Sequence, residues 1–282
     1  MRIASLVAAL AALPLGLASA VAAASEEARL LAAINLYRAQ AQPCGGEVAG
    51  ELPPLRSDAR LVQPAGVVGD LQAGLTRAGY PMVDAQAITL SGPRDADAAL
   101  AMLRQSFCQV LLAPQFVDAG VSQSGRDWRI VLARPLLEGR LGDWQAEGQR
   151  LLAAINTARA QGRDCGGQFF AAAPALSWNA TLGEVAHSHS RAMANGNFFA
   201  HQDRDGYTPG DRAELAGYGG RLVGENIAAA LDRSERVLDG WLASPAHCAN
   251  LMNPQFSELG AAYAVDPKSD AGIYWTALFG TP

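Results

Sequence analysis

An internal repeat constrains the fold of this chain more than any other feature of its sequence. Residues 29–47 and 150–168 are identical at 13 of 19 positions, at an offset of 121 residues. Shorter matches follow in the same order: AGY at 78–80 and 216–218, and PQF at 114–116 and 254–256. A period of 121 residues is far too long for a solenoid, so the repeat predicts two tandem globular units.

The first residues are typical of a secretory signal peptide. Arg2 precedes an apolar stretch from Ile3 to Ala24, and small residues suitable for cleavage end at Ala20 or Ala24. We therefore expect residues 1–24 to be removed and the mature protein to be secreted or periplasmic. The alternative is an uncleaved anchor helix, because the stretch is long enough to span a bilayer.

The charge of the chain is mildly negative. The sequence has 22 Lys and Arg against 27 Asp and Glu, a formal net charge of −5, and no basic run. A nucleic-acid-binding surface needs a cluster of positive charge, so this composition disfavours nucleic acid as a partner.

The four cysteines repeat as two pairs. Four cysteines allow three disulfide connectivities, and the internal repeat favours the one in which each unit closes its own loop. We predict the bonds Cys44–Cys108 and Cys165–Cys248, which a secreted destination permits. The alternative is four buried free thiols.

Each unit begins with an amphipathic helix and ends with alternating, strand-like segments, which predicts an α+β fold. We place the first unit at 25–135, a linker at 136–148 and the second unit at 149–282. The offset grows from 121 at the cysteines to 138 at AGY, so about 17 residues are missing from the first unit. We assign the missing stretch to a polar loop around 197–212.

The candidate functional residues all lie in the second unit. The four histidines are His187, His189, His201 and His247, and Glu225 lies in a Gly-Glu-Asn motif. A carboxylate among imidazoles suits a divalent metal such as zinc, with His201, His247 and Glu225 as ligands, or acid–base chemistry. His189 points away from His187 on a helix, and we expect it to be surface-exposed.

The first unit serves as an internal control, because the candidate polar residues are absent from it. The alignment places Gly66 opposite His187, Gln86 opposite Glu225 and Phe107 opposite His247. Their joint loss indicates a functional site in the second unit. The alternative is a structural cluster that supports the polar loop and was lost together with it.

Short motifs occur in a fixed order through the second unit: LSWN (176–179), AHS (186–188), NFFAH (197–201), GENIA (224–228), WLASPAHCAN (241–250) and YWTALFG (274–280). In these motifs the unit resembles the CAP superfamily (cysteine-rich secretory protein, antigen 5, pathogenesis-related 1), in its bacterial secreted form. The resemblance implies an α–β–α sandwich in two tandem copies, the first truncated. It also implies a cleft lined by His201 and Glu225, to which we add His187 and His247.

The sequence departs from the animal and plant members of that family. Those members have a second cleft glutamate after the tryptophan, at a place where this chain has Ser244. They also have a second cleft histidine just before the last strand, where this chain has none. His247 takes that role in our interpretation.

Three functions are compatible with these residues. The first is a non-enzymatic module that binds a lipid, peptide or cell-envelope component. The second is a metal-assisted hydrolase with Glu225 as general base, although the chain has no Gly-x-Ser-x-Gly or His-Glu-x-x-His motif. The third is an adhesion or assembly protein that uses the first unit.

Overall fold

The computed structural model describes residues 24–65, 70–136 and 141–282. Residues 1–23 of the predicted signal peptide, residues 66–69 and residues 137–140 of the predicted linker therefore lie outside the described residues. Within the described part of the chain, no helix is both long and apolar enough to cross a bilayer.

The first half, residues 24–136, contains four α-helices and six strands among the described residues. The helices are α1 (Glu26–Arg38), α2 (Leu71–Arg77), α3 (Ala96–Ser106) and α4 (Cys108–Leu111). The strands are β1 (Gln42–Cys44), β2 (Glu47–Ala49), β3 (Arg56–Ser57), β4 (Met82–Ser91), β5 (Asp118–Ser124) and β6 (Asp127–Pro135). A short 3-10 helix, Ala59–Leu61, follows β3.

The second half, residues 141–282, has the same order of elements with one more long helix. The helices are α5 (Trp144–Arg159), α6 (Ala180–Gly196), α7 (Pro209–Leu215), α8 (Ser234–Ala243) and α9 (Pro245–Met252). The strands are β7 (Arg163–Cys165), β8 (Gln168–Phe170), β9 (Ser177–Trp178), β10 (Leu222–Ala229), β11 (Glu258–Val265) and β12 (Ile273–Thr281). Because Asp143 caps α5, the last five residues of the predicted linker belong to this helix.

The two halves have the same sheet topology. Each contains a four-stranded sheet, in the order β3-β5-β6-β4 in the first half and β9-β11-β12-β10 in the second. The short edge strand pairs in parallel, and the other pairs are antiparallel. The α+β prediction with two sheet-containing halves is confirmed.

A fully buried arginine occupies the same place in each half. Arg159 donates from Nη1 to the Leu251 and Asn253 carbonyls at 2.6 and 3.0 Å and from Nη2 to the Phe256 carbonyl at 3.2 Å. Arg38 makes the corresponding bonds in the first half, to the carbonyls of Leu111, Ala113 and Phe116. Each arginine thereby connects the first helix of its half to the short helix α4 or α9 and to the loop that leads from it into β5 or β11.

Both predicted disulfides are present, Cys44–Cys108 and Cys165–Cys248. Each bond joins the small hairpin of its half to the short helix α4 or α9. All four cysteines are therefore paired, and the alternative of free thiols is wrong.

The second half is a sandwich of helices on both faces of the sheet. One face packs against α5, α8 and α9 through a large apolar cluster that includes Ile155, Trp241 and Trp275. The other face packs against α6, where Leu182 and Val185 share an apolar cluster with Leu278. This arrangement matches the predicted α–β–α architecture.

Among the described residues of the first half, no helix corresponds to the body of α6, which corrects the assignment of the missing residues to the polar loop alone. The 3-10 helix corresponds to the first turn of α6, and α2 corresponds to α7. That first turn is retained because it packs directly on the sheet. A Cβ on Gly120 would lie 2.3 Å from the Leu61 backbone, and one on Gly260 would lie 2.2 Å from the Leu182 backbone.

The register of the two sheets also changes one position in the alignment of the first half with the second. Glu225 pairs with Leu278 on β12, and the corresponding residue of β6, Val131, pairs with Ala87. Ala87 rather than Gln86 therefore takes the place of Glu225 in the first half. The first half still lacks this carboxylate, because neither alanine nor glutamine carries one.

Candidate functional site

Glu225 is a buried carboxylate held by two cationic or polar partners. It lies on β10, and its side chain is 1% exposed. Arg212 Nη2 donates to its Oε2 at 2.6 Å, and His201 Nδ1 lies 2.8 Å from its Oε1. Buried charge is tolerated in proteins when it is paired and hydrogen-bonded, and both oxygens of Glu225 meet that condition.

Arg212 also holds the polar loop that carries His201. Its Nη1 donates to the backbone carbonyls of His201 and Tyr207, at 2.8 and 2.9 Å. Arg212 lies on α7, which begins with a capping box between Thr208 and Asp211. Arg212 is not among the candidates from the sequence, because nothing in its local sequence distinguishes it from the other arginines of the chain.

His189 is buried, so the expectation that it is exposed is wrong. It faces the sheet, with Nε2 2.9 Å from the Ala200 carbonyl oxygen and 4.0 Å from Glu225 Oε1. Because a carbonyl only accepts, Nε2 must carry the proton. Burial lowers the pKa of His189, which favours the neutral imidazole. Its Nδ1 has no hydrogen-bond partner within the described residues.

His187 lies apart from this cluster, contrary to its assignment to the cleft. Its ring stacks on Trp144 with centroids 4.4 Å apart, and it lines a surface depression with Glu184 and Arg191. Residues two apart on a helix point to nearly opposite sides, so the burial of His189 directs His187 outward.

His247 lies behind the cluster, on the other side of β10. Its Nδ1 is 2.8 Å from Ser244 Oγ, and both residues are buried. Asn226 Nδ2 donates to the His247 carbonyl at 3.1 Å, and Asn250 donates to Asn226 Oδ1 at 2.9 Å. These amides connect α9 to β10, so they fix the position of Glu225 from the opposite face.

The zinc site considered from the sequence does not fit these residues. Both oxygens of Glu225 are already hydrogen-bonded, one to Arg212 and one to His201. The positively charged guanidinium of Arg212 lies beside Glu225 and would strongly repel a divalent cation bound there. Across the described ranges, no group of three or more His, Cys, Asp or Glu side chains is arranged to hold a metal.

Acidification is expected to destabilise the protein through His247. Burial lowers the pKa of His247 to about 4, and repulsion from His201 adds to this shift. The unfolded chain binds this proton near pH 6.5, whereas the folded chain binds it only near pH 4. Stability contributed by the neutral ring is therefore complete above pH 6.5 and is lost as the pH falls through this window, by about 3 kcal/mol.

Urea denaturation between pH 7.5 and 4 measures this loss. His247→Gln retains a partner for Ser244 but does not titrate, so its stability should fall less steeply with acidification. The matched control is His187→Gln, on the surface, which should keep most of the wild-type slope. An unchanged slope in His247→Gln would contradict the assignment.

Comparisons with known proteins agree with the resemblance found in the sequence. The model of the cysteine-rich secretory protein family, CAP, matches residues 152–279. Two relatives from Bacillus subtilis (strain 168) are similar over 104 residues: the uncharacterized protein YkwD, 32% identical, and the uncharacterized membrane protein YlbC, 33% identical. These residues make up 37% of this chain and only 38% and 28% of the two relatives.

Two solved structures are also similar. An outer surface protein from Borrelia burgdorferi is 22% identical, with a TM-score of 0.41, and the match covers 51% of this chain and 98% of that one. An extracellular protein containing an SCP domain from Bacillus anthracis is 19% identical, with a TM-score of 0.42, and the match covers 83% of this chain and 76% of that one. Neither similarity bears on the chemistry of the site.

Proposed function

The second half of the chain belongs to the cysteine-rich secretory protein (CAP) family, and on that premise we propose that the protein is a secreted, non-enzymatic binding protein of the cell envelope. Its ligand is a lipid, a peptide or another envelope component. His201, held by Glu225 and Arg212, supplies the polar contact, and His247 supports the site from behind β10.

The main support for this proposal is the hydrogen bonding and burial of the Glu225 carboxylate. A general base must reach the proton that it removes, directly or through one water. Both oxygens of Glu225 are hydrogen-bonded, one to a guanidinium and one to an imidazole, and the side chain is almost wholly buried. Its geometry suits a residue that positions His201 better than one that activates water.

His201 has the geometry of a pre-positioned contact residue. Its side chain is 44% exposed, while Nδ1 is anchored to Glu225 and its own carbonyl is anchored to Arg212. The described residues give its Nε2 no hydrogen-bond partner, which leaves this atom for a ligand. An anchored ring loses little conformational freedom on binding, and such pre-organisation favours affinity.

Secretion is supported by the apolar amino-terminal stretch and by two disulfides. Disulfides persist in oxidising compartments and are rare in the cytosol.

Co-sedimentation of the full chain tests the binding function. The probes are purified peptidoglycan and vesicles of phosphatidylethanolamine with phosphatidylglycerol. We expect saturable binding to one of them, weakened about tenfold in His201→Ala, because a hydrogen bond to a fixed polar group is lost. His187→Ala is the matched control, since His187 lies outside the cluster, and it should bind like the wild type.

Mass spectrometry of the same mixtures separates binding from hydrolysis. No product should be released from peptidoglycan or lipid. Release that Glu225→Gln abolishes without altering the melting temperature would replace the binding function by the hydrolase. Absence of sedimentation with both probes, or equal binding by His201→Ala, would contradict the proposal.

A further inference from the structure

Residues 197–201, which we call the His201 segment, pack against the first half of the chain. Phe199 contacts the apolar core of the first half and also a cluster of the second half that includes Tyr274. Val117 makes the reciprocal contact, because it precedes β5 in the first half and packs against two core clusters of the second. Both halves therefore form the apolar surface on which the His201 segment packs.

A chain of hydrogen bonds reaches the same segment from another point of the first half. Arg134, mostly buried on β6, donates from Nη1 to the backbone carbonyls of Asp270 and of Ser269, the latter at 3.3 Å. Asp270 in turn bonds Asn197: its N–H donates to Asn197 Oδ1 at 2.8 Å, and its carboxylate accepts from Asn197 Nδ2 at 3.0 Å. Asn197 ends α6 with a φ of 48°, so these bonds fix the turn at which the His201 segment begins.

An ion pair holds the two halves together at this junction. Arg236 of α8 borders the same cavity as Phe199 and lies 3.4 Å from Asp118 of β5. Arg236 is also 3.4 Å from Asp232 of its own half. The side chain of Asp118 is 1% exposed, and moving the halves apart would remove one partner of this buried carboxylate, at a cost in free energy. The first half therefore offers a fixed surface to the second.

Contacts within the second half hold only the backbone on either side of Phe199. The Phe198 N–H donates to the Met193 carbonyl at 3.1 Å, and the Ala200 carbonyl accepts from His189 Nε2 at 2.9 Å. The ring of Phe199 lies between these two points and packs on the first half. A shift of that ring would move the backbone that leads directly into the contact residue of the site.

We propose that the first half, which lacks the carboxylate of the site, positions His201 of the second half. Phe199 and Arg134 are the positioning residues, one through apolar packing and the other through the hydrogen bonds that end at Asn197. The inference rests on the function proposed above, because it concerns the same contact of His201 with a ligand. It goes beyond that function by making the site dependent on both halves.

The tautomer of His201 reports this positioning without any ligand. A carboxylate only accepts, so the bond to Glu225 requires the proton of neutral His201 to lie on Nδ1. Imidazole nitrogen shifts in NMR distinguish this tautomer at about pH 8.5, where an unperturbed imidazole is neutral. The chain has four histidines, so single His→Gln variants assign the signals. In Phe199→Ala we expect a mixture of tautomers, because a displaced ring no longer keeps its bond to Glu225.

Binding should follow the tautomer. Co-sedimentation with peptidoglycan and with the phosphatidylethanolamine–phosphatidylglycerol vesicles should show about fivefold weaker binding by Phe199→Ala, because the contact residue is no longer pre-organised. Phe199→Leu keeps an apolar side chain against the first half and should restore both the tautomer and the affinity. Phe169→Ala is the matched control, since Phe169 is 71% exposed on β8, and it should behave like the wild type.

Variants within the first half separate its role from that of the second. Arg134→Met and Val117→Ala should change the tautomer and the affinity in the same direction as Phe199→Ala. Arg126→Met is the matched control, because Arg126 donates to the Gly92 carbonyl of its own half at 2.7 Å, and it should have no effect. Urea denaturation checks that each variant is folded. If Phe199→Ala does not fold, Arg134→Met and Phe199→Leu decide the question.

Each outcome supports or overturns the proposal. A mixture of tautomers in the wild type would overturn it, as would a wild-type tautomer in both Phe199→Ala and Arg134→Met. A shift in Phe199→Ala but in neither Arg134→Met nor Val117→Ala would assign the support of the segment to the second half alone, and would overturn it as well. Absence of probe binding by the wild type, with the tautomer still shifting in all three variants, would contradict the binding function and support the positioning role.

Discussion

Replacing Arg212 by methionine is expected to destabilise the folded chain by about 3–5 kcal/mol, the usual effect of leaving one member of a buried ion pair without its partner. Glu225 would keep only His201 as a hydrogen-bond partner while its side chain stays buried. Two backbone carbonyls of the polar loop, those of His201 and Tyr207, would also lose their donor.

A second substitution should restore much of this stability. In Arg212→Met/Glu225→Leu neither charge remains, so the double variant should be clearly more stable than Arg212→Met alone. Urea denaturation of the four members of the cycle gives the coupling between the two residues. Arg191→Met, on the exposed face of α6, is the control and should change stability by less than about 0.5 kcal/mol. A loss below about 1 kcal/mol in Arg212→Met would contradict the role of Arg212 as the required partner of the buried Glu225.

Replacing Arg159 by methionine is expected to cost more than about 4 kcal/mol, because several buried carbonyl oxygens lose a charged donor together. Methionine fills most of the volume of the arginine stem but donates no hydrogen bond. The unsatisfied carbonyls would be those of Leu251, Asn253, Phe256 and Pro174.

Arg38→Met should produce a loss of the same order in the first half, since Arg38 bonds the corresponding carbonyls. Calorimetry of both variants measures the losses and shows whether the halves unfold together. A shared shift of one transition would indicate a single cooperative unit, and a shift of separate transitions would indicate two. The exposed Arg77→Met is the control. Either variant with near wild-type stability would contradict a common structural role for the two arginines.

Much of the second half was predictable because its signals are local. Asparagine is a common helix N-cap, and the Asn179 side chain accepts from the Leu182 backbone at 3.1 Å at the start of α6. Proline is common at the first position of a helix, and Pro245 begins α9. Caps and prolines act on the residues next to them, so their effect is legible in the sequence.

The missing segment of the first half was harder to place. Sequence matching located about 17 missing residues but not the element to which they belong. In the described part of the first half, no helix takes the place of the body of α6, while its first turn is kept against Gly120. Contact between a turn and a distant strand leaves no local pattern, so the alignment could not identify it.

The sequence by itself determined the repeat, the pairing of the cysteines, the α+β class and the candidates His201 and Glu225. These depend on residue identity and on spacing along the chain. Only the tertiary structure decided that His189 faces the cluster and His187 faces solvent, because helical periodicity separates two faces without saying which one meets the sheet. It alone paired Arg212 with Glu225 and placed Arg159 against the Leu251 and Phe256 carbonyls. Both depend on residues far apart in sequence, which packing brings together.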